Sequence, residues 1–156
     1  MSLPIIPELV ASKGTRFEIR TQNISYGPMS TATPGEWGYM LANDNAPTTG
    51  GYLVRKIEFV QTSGTTEAGQ IRLRHNNEGA GGADSVQIDW VGTIPASITY
   101  DADDPLRITF IPDPEYPIVI APSPNEVDLG QSLGVQITGD DNNGLFQPLI
   151  YGGHLG

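Results

Sequence analysis

Hydrophobic and polar residues alternate along three stretches between residues 52 and 91 of the chain. In the first stretch Leu53, Ile57 and Phe59 share one parity, whereas Lys56 and Glu58 take the other. The next two stretches repeat the pattern, with Ile71, Leu73 and His75 against Gln70, Arg72 and Arg74, and then Val86, Ile88 and Trp90 against Gln87 and Asp89. Successive side chains of a β-strand point to opposite faces, so each stretch predicts a strand with one buried face. Turn-rich loops separate the three strands, which predicts an antiparallel meander.

The rest of the chain continues as short strands separated by turn signals. Further strands are predicted at Thr15–Arg20, Glu36–Leu41, Ser97–Tyr100, Leu106–Ile111, Tyr116–Ala121, Val127–Leu129, Leu133–Thr138 and Leu145–Tyr151. No stretch shows helical periodicity, and the 156 residues include 19 glycines and 13 prolines. This pattern predicts an all-β fold, an antiparallel β-sandwich. A jelly-roll arrangement is favoured over an immunoglobulin-like one, because the connections are long and no cysteine pair is present.

The first fourteen residues differ from the rest, because prolines alternate with aliphatic residues there. Proline fixes φ and removes a backbone donor, so residues 1–14 are predicted to form an extended N-terminal arm. Residues 15–156 are predicted to form a single β-sandwich domain. Two placements of the apolar arm are open: along its own sandwich, or docked on a neighbouring subunit. The arm lacks the basic region and the long apolar core of a signal peptide, so we expect no export signal.

Composition and charge exclude several classes of function. The chain has no cysteine, which rules out disulfides, thiolate metal sites and a cysteine nucleophile. Its net charge is −10, and no lysine or arginine follows Arg107. A nucleic-acid-binding protein needs a basic stripe, so no nucleic-acid partner is expected. No run approaches the roughly 20 apolar residues of a membrane-spanning helix, so no membrane partner is expected either.

One stretch matches a catalytic motif. Gly130–Gly134 reads G-x-S-x-G, and Asp140, Asp141 and His154 follow in the order acid then histidine. That motif requires a strained strand–turn–helix elbow that presents the serine hydroxyl. Here the residues after Ser132 have a strand pattern, so we expect no catalytic site and no enzyme.

Acidic turns are the candidate metal ligands. Asp101–Asp104 and Asp140–Asn143 both offer oxygens that could hold calcium, but neither has the spacing of a calcium-binding loop. Asp and Asn are also the residues that turns prefer, which favours a structural role and leaves calcium open. His75 is predicted to be a packing residue with its polar atoms satisfied. No cofactor is expected.

Two aromatic residues are candidates for a binding platform. Trp37 and Tyr39 lie in a long loop-rich region, where they form either a surface for a ligand or the cover of one end of the sandwich. Trp90 has the inward parity of its strand and is predicted to lie in the core.

The apolar stretch Leu3–Pro7, the Gly/Thr/Asn/Pro-rich region Thr21–Gly51 and the compact acidic β body together resemble the decoration (cement) proteins of tailed-bacteriophage capsids. The resemblance implies a virion structural protein that forms a homotrimer, binds the major capsid protein on the outer capsid surface and stabilises the shell. The contact residues would be Leu3, Ile5, Ile6, Leu9, Arg16, Arg20, Trp37 and Tyr39. The alternative is a carbohydrate- or receptor-binding sandwich, such as a viral fibre head or a carbohydrate-binding module, with Trp37 stacking on a sugar.

Overall fold

The computed structural model describes residues 17–18, 24–25, 35–42, 51–76, 85–121 and 130–155. Within these ranges the chain forms strands and one short 3-10 turn, Asp140–Asn142. The strands are β1 (Phe17–Glu18), β2 (Ile24–Ser25), β3 (Trp37–Ala42), β4 (Tyr52–Gln61), β5 (Gly69–Asn76), β6 (Ser85–Ile94), β7 (Arg107–Phe110), β8 (Ile118–Ile120), β9 (Ser132–Ile137) and β10 (Phe146–Leu155).

The strands form two antiparallel sheets that pack as a jelly roll. One sheet has the order β1-β10-β4-β7, with β2 also paired to β10 and β8 also paired to β4; the other has the order β3-β9-β5-β6. β1 and β2 can be taken as one interrupted strand, and so can β7 and β8. When the resulting eight strands are numbered in chain order, the two sheets have the orders 1-8-3-6 and 2-7-4-5. The chain therefore crosses repeatedly between two sheets, as a jelly roll does. The predicted all-β antiparallel sandwich is confirmed.

The core lies between the inward faces of the two sheets. Its fully buried residues include Ile57 and Phe59 of β4, Ile71 and Leu73 of β5, Leu133, Val135 and Ile137 of β9, and Phe146 and Ile150 of β10. The ring of Trp90 lies 6.0 Å from Phe59 and 5.1 Å from Phe110 between ring centroids, which confirms that Trp90 packs on the core. Gly92 makes room for this ring, since a Cβ there would lie 2.6 Å from Trp90 Cη2.

A β-bulge in β4 makes part of the predicted alternation wrong. Lys56 pairs with Tyr151, but Val54 pairs with Gly152, so the register shifts by one residue at Arg55. An extra residue reverses the faces of everything that precedes it. As a result Val54 joins the core cluster, whereas Leu53, predicted to share the face of Ile57, is buried outside that cluster.

Two other predicted strands have different outcomes. Ser97–Tyr100 forms only an isolated bridge, Thr65 with Thr99, because Ser97 has a φ of 63° and interrupts the extended backbone. The segment is held by backbone hydrogen bonds to Gly64 and Thr66, and Gln61 Nε2 donates to the Ile98 carbonyl oxygen at 2.9 Å. Val127–Leu129 lies outside the described residues.

Candidate binding face

The outer face of the four-stranded sheet brings together polar and aromatic side chains from three strands. Trp37 of β3 pairs with Gln136 of β9, and Gln136 pairs with Arg72 of β5; in the next row Gly134 pairs with Arg74. These residues alternate with the buried residues of β5 and β9, so they lie on the opposite side of the sheet from the core. We call this surface, defined by Trp37, Arg72, Arg74, Gly134 and Gln136, the arginine–tryptophan face.

Arg74 lies across the sheet and covers Trp37. The guanidinium carbon of Arg74 is 4.7 Å from the centroid of the Trp37 ring, within the range of a cation–π contact. Gly134 lies below the side chain that makes this contact: a Cβ there would lie 3.0 Å from Arg74 Cγ and 3.2 Å from Nε. The glycine therefore provides the space through which Arg74 crosses β9.

Hydrogen bonds fix the position of the tryptophan strand. Gln136 Nε2 donates to the Gly35 carbonyl oxygen at 2.6 Å, and the Gly35 amide donates to the Ile137 carbonyl oxygen at 2.9 Å. Gly35 has a φ of 84°, a conformation that glycine adopts without strain. The turn before β3 is thereby tied to β9, and Trp37 is held under the guanidinium of Arg74.

The two arginines of this face have no carboxylate partner among the described residues. Arg72 donates to Gln70 Oε1 at 3.3 Å, and the Nε atom of Arg74 is buried with no hydrogen-bond partner. In the next row of the sheet Asn76 donates to Ser132 Oγ at 2.9 Å, while its own Oδ1 atom is buried without a partner. On a chain with a net charge of −10, this face therefore holds two cationic side chains, together with one buried donor and one buried acceptor that have no partner.

Such a surface can bind planar or anionic groups. Guanidinium groups make bidentate hydrogen bonds to carboxylates and phosphates, and indole and guanidinium planes stack on flat apolar or amide surfaces. The residues lie in rows on a sheet, and no acid–base pair or nucleophile lies among them.

The contact residues predicted from the sequence meet different outcomes. Trp37 lies in the arginine–tryptophan face, as half of its cation–π pair. Tyr39 pairs with Gly134 in the backbone register, and its side chain lies outside the described residues. Leu3, Ile5, Ile6, Leu9, Arg16 and Arg20 also lie outside the described residues. The sequence analysis assigned no binding role to Arg74, Gln136 or Gly134. The signal that could have found them is that the residues of β5 and β9 that alternate with the apolar ones share one outer face of the sheet.

The serine of the G-x-S-x-G stretch lies on a strand. Ser132 is the first residue of β9, is fully buried and accepts the hydrogen bond from Asn76. Asp140 and Asp141 lie in the 3-10 turn that follows β9, and the side chain of His154 lies outside the described residues. The strand–turn–helix elbow that the motif requires is not formed at this position.

The acidic turns use their oxygens within the protein. Asp101 Oδ1 accepts from the Asp103 amide at 2.9 Å, and Asn142 Oδ1 accepts from the Glu67 amide at 2.8 Å. His75 Nε2 lies 2.9 Å from Gln131 Oε1, in agreement with a satisfied packing histidine. In the part of the chain that the structure describes, no group of three or more His, Cys, Asp or Glu residues is placed to hold a metal ion.

A separate charged cluster lies on the six-stranded sheet. Glu58 accepts from Lys56 at 3.3 Å and from Arg107 at 3.2 Å, and Lys56 also lies 4.4 Å from the centroid of the Tyr151 ring. Burial alone would raise the pKa of Glu58, but hydrogen bonds from Tyr151 and Lys56 and the charge of Lys56 bring this pKa below its usual value. Burial and the hydrogen bond to Glu58 raise the pKa of Tyr151. The carboxylate of Glu58 is therefore shared by two cationic side chains.

Comparison of the chain with family profiles, curated proteins and solved structures finds no match in any of the three. Among the described residues there is no helix long and apolar enough to cross a membrane.

Proposed function

We propose that the protein is a virion structural protein, a decoration protein that binds the outer surface of an assembled phage capsid through the arginine–tryptophan face. The observation that carries the proposal is the pair Arg72 and Arg74, which lack a carboxylate partner among the described residues, with the guanidinium of Arg74 over the ring of Trp37. Carboxylates on the major capsid protein would pair with the two arginines, and flat apolar groups there would pack against Trp37.

Binding of the protein to an assembled shell would stabilise that shell. A protein that binds the assembled surface and not the free subunit stabilises the assembly by mass action. Many copies, each bound weakly, act together over the shell. A homotrimer, the oligomer that the resemblance implies, would present three arginine–tryptophan faces to neighbouring capsid subunits.

Binding to empty shells of the phage that encodes the chain tests the proposal. We expect the protein to co-sediment with such shells, and Arg74→Ala to weaken binding by about tenfold, a cost of about 1.4 kcal/mol. Arg107→Ala is the matched control, because Arg107 is already paired with Glu58 on the other sheet, and binding should be unchanged. At a salt concentration of about 1 M the Debye length is about 3 Å, so salt should weaken the binding of the wild type to shells more than the binding of Arg74→Ala.

Two results would contradict this function. One is a protein that stays in the supernatant with shells at every concentration tested. The other is an Arg74→Ala variant that binds as tightly as Arg107→Ala, since the arginine–tryptophan face would then not be the contact. Sedimentation equilibrium tests the trimer separately, and a monomer at all concentrations would remove that part of the proposal.

A second function, binding of an acidic carbohydrate, is favoured by the combination of Trp37 with Arg74. An indole stacks on the apolar face of a sugar ring, and a guanidinium pairs with the carboxylate of a uronic acid. Titration with an oligouronate should change tryptophan fluorescence in the wild type, and Trp37→Ala should abolish both binding and the change. Trp90 packs on the core, so loss of the change in Trp37→Ala assigns the signal to Trp37. A neutral oligosaccharide of equal length is the control, and an equal response to both would remove the role of Arg74.

A further inference from the structure

An apolar groove opens beside the bulge of β4, on the six-stranded sheet and away from the arginine–tryptophan face. β7 ends at Phe110 and β8 begins at Ile118, and both pair with β4, so the loop between them interrupts the sheet edge opposite the bulge. The groove has a volume of about 180 Å³, and six of its eight lining residues are apolar: Leu53, Val54, Ile111, Pro112, Pro114 and Pro117.

The rim of the groove exposes large apolar side chains. Ile111, which lines the groove, is 67% exposed, and Tyr116 in the same loop is 75% exposed. They are the two most exposed of the large hydrophobic residues that the structure describes. Large apolar side chains exposed at and near an apolar groove favour a site where another segment packs.

The chain's own N-terminal arm can reach the groove. β1 begins at Phe17, which pairs with Leu155, and β10 lies between β1 and β4. The start of β1 is thus about three strand spacings from the groove, roughly 14 Å across the sheet and about as far along it. Ile6 lies eleven residues before Phe17, and an extended segment of that length spans about 35 Å.

The composition of the arm matches the groove. Leu3, Ile5, Ile6 and Leu9 supply aliphatic side chains, and the prolines between them lack backbone donors, so little polar backbone would be buried without a partner. A short tether also gives the arm of the same chain an effective concentration in the millimolar range, above that of another copy in dilute solution.

We propose that the groove holds the N-terminal arm of the same chain, with Ile5 and Ile6 against the wall that Ile111 and the prolines of its loop form. The arm then covers the exposed loop and leaves the arginine–tryptophan face as the accessible binding surface. This proposal is independent of the proposed function, because the groove and that face lie on different sheets.

Disulfide trapping tests the docked arm directly, since the natural chain has no cysteine. The double variant Ile5→Cys, Ile111→Cys is oxidised in dilute solution and compared with the control Ile5→Cys, Val86→Cys, in which the second cysteine is on the other sheet. Both partner positions are exposed, at 67% and 60%, so folding is little affected. We expect an intramolecular disulfide that forms about tenfold faster than in the control, with a monomeric product.

Each other result overturns the proposal. Equal rates in the two variants mean that the arm does not occupy the groove. Covalent oligomers, or a mixed disulfide when the single variants Ile5→Cys and Ile111→Cys are combined, mean that the arm of another copy is the occupant. The single variant Ile111→Cys should also bind shells like the wild type, so failure of capsid binding and failure of arm docking are read separately.

Discussion

Asn142 joins two connections at one end of the sandwich, and its replacement is expected to destabilise the fold strongly. Its Oδ1 atom accepts from the Glu67 amide at 2.8 Å, and its Nδ2 atom donates to the carbonyl oxygens of Glu67 at 2.8 Å and Thr138 at 2.9 Å. The side chain is fully buried, and Gly69 packs close enough that a Cβ there would lie 2.8 Å from Nδ2. The residue therefore links the β4–β5 connection to the end of β9.

The cost of Asn142→Ala follows from these three bonds. Each typical intramolecular hydrogen bond contributes about 1 kcal/mol, and a buried group left without a partner costs more. We expect a loss of about 3 kcal/mol in the free energy of unfolding. For a domain of this size that corresponds to a fall in Tm of roughly 6–12 °C.

Two further variants separate the contributions. Asn142→Asp keeps the acceptor for the Glu67 amide but replaces the donor with a carboxylate beside two carbonyl oxygens, so it should be at least as destabilising as Asn142→Ala. Asp141→Ala, at an exposed neighbouring position, is the control and should change stability by less than about 0.5 kcal/mol. Equilibrium urea unfolding measures all three; an Asn142→Ala cost equal to that of the control would refute the reasoning.

Three other changes have defined outcomes in the same unfolding assay. Gly152→Ala should lower the free energy of unfolding by about 3 kcal/mol, because a Cβ there overlaps the facing backbone of β4. Gly144→Ala has open space but a φ of 83°, and it should lower the free energy of unfolding by about 1 kcal/mol. Equal costs would contradict the bulge geometry. Trp90→Ala should cost about 3 kcal/mol and Trp37→Ala less than about 1 kcal/mol, because only the first ring packs on the core; the reverse order would place the wrong tryptophan there. The pKa of Glu58 is lowered in the folded protein, so its contribution to the free energy of unfolding is present above the ordinary carboxyl pKa and is lost as the pH falls through the folded pKa. Glu58→Gln should therefore make the free energy of unfolding fall less steeply at acid pH. An unchanged dependence on pH would exclude this cluster as a cause.

The strands and most of their core could be predicted from the sequence, because alternation reports burial directly. The predicted three-strand meander is wrong, since β4 lies in one sheet and β5 and β6 lie in the other. In β5 and β9 the aliphatic residues of inward parity, Ile71, Leu73, Leu133, Val135 and Ile137, are fully buried. The face of Leu53 could not be predicted, since one extra residue at Arg55 shifts the register. The bulge depends on the close approach of Gly152 to β4, and only the paired strands reveal that approach. The alternation of hydrophobic and polar residues predicts which residues of one strand share a face, but it does not predict where the register with the neighbouring strand shifts.

The arginine–tryptophan face was hidden for a different reason. Trp37, Arg74 and Gly134 lie far apart in sequence and meet only because β9 lies between β3 and β5. Strand order of this kind follows from how the chain crosses between two sheets, which hydrophobic patterning does not encode. Polar parity placed Arg72 and Arg74 on an outer surface, but it could not tell which aromatic residue shared that surface.

Gly134 shows how one residue can be misread until its neighbours are known. In the sequence it completes a G-x-S-x-G stretch, where a glycine would allow a sharp turn after a nucleophile. In the fold it lies within β9, and the absence of a side chain lets Arg74 cross the strand and contact Trp37. A glycine costs stability in a strand, so its presence in a central one requires a compensating close approach. The approach found here is that of the Arg74 side chain, which crosses β9 at Gly134 to contact the ring of Trp37.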